Sequence, residues 1–143
     1  MLFRLLILAN VSVFILLALL HFYWAFGGKW AFDHVIPTGS NGKKLFHPSS
    51  LGTLIVAICL MACAWINLAC FSRAGSVTGH NYLRYGIRAI GIIFLLRALG
   101  DFRYVGFTKR YRKSGFAIRD TLFFSPLCFF LGLSHLIAGS SWF

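Results

Sequence analysis

Acidic residues are almost absent from this chain. It has no glutamate and only three aspartates (Asp33, Asp101 and Asp120) against 14 lysines and arginines, a formal net charge of +11. A divalent metal site is therefore disfavoured, because the aspartates are scattered and no two histidines are closely spaced. The positive charge also suits nucleic acid, but the apolar segments leave no room for a nucleic-acid-binding module. We expect no nucleic-acid partner, and we expect basic loops held against anionic lipid headgroups.

Cysteine and nucleophile motifs are also missing. The four cysteines lack the spacing of a redox pair or a zinc site: Cys59, Cys63, Cys70 and Cys128. They lie in apolar stretches, where cysteine acts as a small apolar side chain. A bis-histidine haem is disfavoured too, because His21 and His135 are predicted to differ in depth by about 22 Å. The sequence names no cofactor.

Apolar sequence is abundant: 59% of the 143 residues are hydrophobic, and the mean hydropathy is +0.78. A soluble domain of this size could not bury so much apolar surface. Since about 20 apolar residues in a helix span a bilayer core, the runs predict four transmembrane helices. We place them at about 2–24, 51–71, 83–107 and 121–138. The predicted fold is all-α, an integral membrane bundle that forms a single domain over residues 1–143.

The third predicted helix carries charge at membrane depth. From Ile87 to Leu99 it is too short to cross, so we extend it through Asp101 to about Phe107. Arg97 and Asp101 then lie one turn apart on one helix face and can pair. A lone charge there costs at least ~2.5–3.5 kcal/mol, so a partner is expected. We predict that both side chains are buried and paired, directly or through a neighbouring helix.

Polar residues from three helices fall at similar depth beneath one membrane face. We predict that six of them line one cavity, open toward the leaflet of loop one (residues 25–49) and of loop three, which joins the third and fourth helices: His21, Trp24, Arg97, Asp101, Arg103 and Asp120. Arg97 or Arg103 would hold an anionic head, and His21 and Asp101 would move protons. The alternative is a solid polar knot with no void, in which Asp120 only caps a helix.

Three further polar residues lie in the opposite leaflet or deep in the fourth helix. His135 and Asn67 are expected to form hydrogen bonds between helices. Asn10 falls at the same depth as Asn67, so these two amides are expected to pair with each other.

Three motifs resemble those of an uncharacterised family of bacterial membrane proteins, the domain of unknown function three-nine-nine-five. Residues 21–30 (HFYWAFGGKW) resemble its opening motif, and residues 97–107 (RALGDFRYVGF) are similar to its second. Lys109-Arg110, Asp120-Thr121 and residues 125–128 (SPLC) resemble its third. The resemblance covers nearly the whole chain and implies a small four-helix protein of the bacterial inner membrane. It implies no activity, substrate or cofactor.

Three functions fit these observations. The one that we favour is a ligand-binding bundle, enzymatic or not, that takes a lipid or amphipathic molecule from the cytoplasmic leaflet. The second is a non-catalytic accessory subunit that stabilises a larger membrane complex. The third is a transporter, which would need a homo-oligomer because four helices are few for alternating access. A polar pocket favours the first function, and an exposed flat face of small residues would favour the second.

The basic residues predict the orientation. Loops one and three carry nine of them: Lys29, Lys43, Lys44, Arg103, Lys109, Arg110, Arg112, Lys113 and Arg119. The other side carries four: Arg4, Arg73, Arg84 and Arg88. The positive-inside rule therefore places loops one and three in the cytoplasm and both termini outside.

Cysteine labelling tests this orientation. Single cysteines introduced at Lys43 and Arg112 should react with a membrane-impermeant maleimide only when the cytoplasmic face is open to the reagent. Labelling of both positions in intact cells would overturn the assigned orientation.

Overall fold

The computed structural model describes residues 2–39, 41–72 and 81–140, and the regular elements within these residues are helices, with no named strand. Arg73, which enters the count of basic residues, lies outside the described residues. The all-α fold is confirmed. The helices follow in the order α1 Leu2–Ala25, α2 Phe32–Val35, α3 Ser50–Ser72, α4 Asn81–Leu99, α5 Gly115–Arg119 and α6 Ser125–Ser140, with a π-helical turn, Asp120–Phe124, between α5 and α6.

Three helical segments of the described chain are long and apolar enough to cross a membrane. They are Arg4–Ala25, Ser50–Ser72 and Gly115–Ser140, the last formed by α5, the π-helical turn and α6 together. This finding is consistent with a membrane protein. The remaining long helix, α4, has 19 residues with arginines at positions 84, 88 and 97, and it is not among the three.

The predicted extension of the third helix to residue 107 is wrong. α4 ends at Leu99, and Gly100 follows with a φ of 86°, a left-handed conformation that ends helices. Gly106 also has a positive φ, and a Cβ there would lie 2.2 Å from the carbonyl oxygen of Leu99. The chain therefore turns back onto the end of α4, and residues 100–114 form a folded loop, called loop three from here on. Arg119, counted above with the predicted loop three, lies in α5.

The four long helices form two close pairs, α1 with α3 and α4 with α6. Glycines bring α4 and α6 together. A Cβ on Gly132 would lie 2.6 Å from Leu95 Cγ and 2.9 Å from the Leu95 backbone nitrogen, and one on Gly139 would lie 2.8 Å from Arg88 Cγ. Small residues of this kind let helix backbones approach within a membrane, where hydrophobic attraction between helices is weak.

A buried histidine ties the two pairs together. His135 of α6 is fully buried, and its Nδ1 donates to the Leu131 carbonyl at 2.6 Å, so its Nε2 accepts from Asn67 Nδ2 at 3.1 Å. Asn10 Nδ2 donates to Ser134 Oγ at 3.0 Å. The expected hydrogen bonding of His135 and Asn67 between helices is confirmed. The direct pairing of Asn10 with Asn67 is wrong, because each amide bonds to α6 instead.

Two glycine substitutions test the α4–α6 approach. Gly132→Ala should lower the apparent melting temperature in detergent, because overpacking a tight contact costs about 1–3 kcal/mol. Gly86→Ala is the matched control, since its Cβ would meet Ile66 Cγ2 at an ordinary 3.5 Å. Equal melting temperatures for the two variants would contradict the close approach.

Candidate functional site

The site is built around the π-helical turn that joins α5 to α6. In this turn the Ser125 N–H donates to the carbonyl of Asp120, five residues earlier, as in a π-helix. The next residue, Pro126, has no N–H to donate, which favours a local departure from α-helical bonding. Single π turns of this kind occur often at functional sites. The turn begins with Asp120, whose side chain is fully buried.

Four groups donate hydrogen bonds to the Asp120 carboxylate. Its Oδ2 accepts from Lys109 Nζ at 2.8 Å, from the Gly106 N–H at 2.8 Å and from Ser125 Oγ at 3.2 Å. Its Oδ1 accepts from Arg97 Nη2 at 3.2 Å. We call these five residues the Asp120 cluster. Charged side chains are tolerated in an interior when they are paired and hydrogen-bonded, as here.

Lys109 belongs to the interior, although the sequence analysis assigned it to a headgroup-binding loop. Its side chain is 1% exposed, and its Nζ also donates to the Gly106 carbonyl at 3.0 Å. The resemblance of Lys109-Arg110 and Asp120-Thr121 to one family motif was the available signal for it. No spacing rule could have shown the contact, because the two charges meet through a folded loop.

Asp101 is exposed, so the prediction that it is buried and pairs with Arg97 is wrong. Because α4 ends at Leu99, the two residues do not share a helix face. Asp101 Oδ1 accepts from the backbone N–H groups of Arg103, Tyr104 and Val105 at 2.7–3.0 Å. Burial raises the pKa of the Asp101 carboxyl, but these three hydrogen bonds outweigh it and hold the pKa below its ordinary value.

A cavity of about 610 Å³ lies between the two helix pairs. Its walls come from α1, α3, α4, α6 and the π-helical turn, together with loop-one residues that include Ile36 and Phe46. Most lining side chains are apolar, among them Leu17, Leu20, Val56, Leu60, Phe94 and Leu127. Small-molecule sites in proteins have volumes of roughly 300–1,000 Å³ and similarly apolar walls.

Three of the six predicted site residues line this cavity: His21, Trp24 and Arg97. The other three do not belong to its lining. Asp120 is buried as the partner of Arg97, and Asp101 and Arg103 are exposed in loop three. The cavity therefore holds one cation and one histidine, without a carboxylate in its lining.

The polar residues of the lining are held by bonds to the backbone. His21 Nδ1 donates to the Leu17 carbonyl at 2.8 Å. Trp24 packs edge-on against this ring at 5.0 Å, and its Nε1 donates to the Trp30 carbonyl at 2.8 Å. That bond ties the loop-one segment to the end of α1.

Arg97 differs from these residues because it is only partly satisfied. Its Nη2 bonds to Asp120, but its buried Nη1 has no hydrogen-bond partner within the described part of the chain. The side chain is 37% exposed, whereas that of Asp120 is 0% exposed.

Among residues 2–39, 41–72 and 81–140, no three histidine, cysteine or acidic side chains group together as metal ligands.

A double-mutant comparison tests the Asp120 cluster. Lys109→Met should destabilise the protein by about 3–5 kcal/mol, because a buried carboxylate loses its closest cation. Adding Asp120→Asn should restore part of that loss. Arg110→Met, at an exposed neighbouring position, is the control for thermal unfolding in detergent. If Lys109→Met melts at the same temperature as Arg110→Met, the buried pair is not as described.

Comparison with known proteins gives a family. The model described as "Protein of unknown function (DUF3995)" matches residues 14–135, most of the chain and all of the cavity's long helices in whole or in part. No curated protein and no solved structure shows a significant match. The motifs in residues 21–30 and 97–107 fall within the matched range, as the resemblance noted in the sequence implies. The chain belongs to the DUF3995 family.

Proposed function

We propose that this protein crosses the bacterial inner membrane four times and binds an amphipathic molecule or lipid in the cavity between its helix pairs. Three segments have the length and apolarity to cross. The fourth crossing would be α4, which packs along α6 and whose arginines have partners. Arg88 Nη2 donates to the Gly139 carbonyl at 3.2 Å, and Arg97 pairs with Asp120. Paired arginines facing a bundle interior are the form in which membranes tolerate them.

The proposed orientation keeps loops one and three in the cytoplasm. Lys109 is buried, so the nine basic residues on that side become eight, still twice the four on the other side. The cavity is lined by the end of α1 and the start of α3, which flank loop one. A ligand would therefore enter from the cytoplasmic leaflet.

The position of Arg97 carries the binding proposal. It places a partly exposed cation in the wall of an otherwise apolar cavity, and its carboxylate partner is shared with Lys109. A ligand that suits both features has an apolar body and an anionic or strongly polar head. Of the two predicted proton-moving residues only His21 lines the cavity, so the geometry favours binding over acid–base catalysis.

Lipid analysis of the purified protein tests this proposal. After extraction in a mild detergent, mass spectrometry should find a co-purifying amphipathic molecule near one per chain. Val56→Trp should displace it, because the indole fills the cavity that Val56 lines. Ile55→Trp is the matched control, since the Ile55 side chain is exposed and does not belong to the lining.

The outcomes separate the candidate functions. Loss of the molecule from Val56→Trp alone supports the cavity as its site. Equal retention by both variants would contradict it. A stoichiometric protein partner in place of a lipid would favour the accessory-subunit function instead.

A further inference from the structure

We propose that the ligand is a single-chain amphiphile with a monoanionic carboxylate head, held by Arg97. This inference rests on the proposed function and specifies its ligand class.

A ligand with one negative charge would neutralise the Asp120 cluster. Arg97 and Lys109 are cationic and Asp120 is the single anion, which leaves a net charge of +1. Asp120 Oδ2 is satisfied by three donors other than Arg97. Uncompensated charge is costly at membrane depth, and one carboxylate would cancel it. A phosphate monoester carries a charge of about −1.5 to −2 at neutral pH and would exceed it.

The hydrogen-bonding groups also suit a carboxyl group. Arg97 lines the cavity with a partly exposed side chain, its buried Nη1 has no acceptor in the described chain, and a guanidinium matches the planar geometry of a carboxylate. His21 lines the same cavity, but its Nδ1 is already bonded to the Leu17 carbonyl, so Arg97 is the group that pairs with a carboxylate head.

The cavity dimensions favour one chain. Its lining on α3 runs from Gly52 to Leu60, eight residues or about 12 Å along the helix. Apolar side chains from all four long helices line the cavity, which is partly open and has a volume of about 610 Å³. A two-chain phospholipid would have to leave a chain outside in the bilayer, whereas a single chain of about ten carbons can lie along the cavity wall.

Three probes of equal chain length test the head group. Decanoate, decanol and decyl phosphate are titrated against the delipidated full-length protein in nanodiscs, with affinities measured by competition against a fluorescent fatty acid. We expect decanoate to bind at least about tenfold more tightly than decanol, since a hydrogen bond to a charged group is worth that much. Decyl phosphate should bind more weakly than decanoate.

Substitutions test whether Arg97 is responsible for the preference for decanoate over decanol. Arg97→Gln should bring the decanoate-to-decanol ratio close to one while decanol binding is kept, which also shows that the variant is folded. Arg103→Gln, the exposed control, should leave the ratio unchanged.

The results that overturn the inference differ from those that overturn the proposed function. Equal binding of decanoate and decanol by the unmodified protein, or tighter binding of decyl phosphate, would show that the head group is wrong although amphiphiles bind. No binding of any probe to protein whose melting temperature is normal would overturn both. An unchanged ratio in Arg97→Gln would remove Arg97 from the site.

Discussion

The Asp120 carboxylate is fully buried where α5 continues into α6, and an interior tolerates such a charge only when it is paired and hydrogen-bonded. Its partners come from the end of α4, from loop three and from the first turn of α6. Loop three cannot move away without uncovering the charge. One ionised group therefore fixes the return of the chain after Gly100, the burial of Lys109 and the placement of Arg97.

The cavity follows from how the two helix pairs are joined. His135 and Asn67 connect them by a hydrogen bond in one half of the bundle, and Phe14 packs edge-on against the same imidazole. In the other half, apolar side chains from both pairs line the cavity, and the bond to Asp120 holds Arg97 in the cavity wall. Under the proposed function, stability and binding would depend on the same buried carboxylate, because Arg97, the cation that pairs with it, would also bind the ligand.

The sequence predicted α1 and α3 to within about two residues, because lipid as a solvent demands long apolar runs. The prediction for α4 was wrong, because the helix was extended past Gly100 to reach the length that a crossing needs. The extension placed Asp101 on the same helix face as Arg97 and so predicted that the two residues pair. Helical spacing reports only local neighbours. The true partner, Asp120, is 23 residues away and meets Arg97 through the fold, so no pattern in the chain could have paired them.

The proposed function requires Arg97 to donate hydrogen bonds to two acceptors, Asp120 on one side and the head group of a ligand in the cavity on the other. An experimental structure of the protein crystallised from its native lipids tests this most directly. The account predicts elongated density within the cavity, with an acceptor oxygen about 3 Å from an Arg97 guanidinium nitrogen. A cavity closed by side chains, with both Arg97 Nη atoms bonded to Asp120 alone, would contradict it.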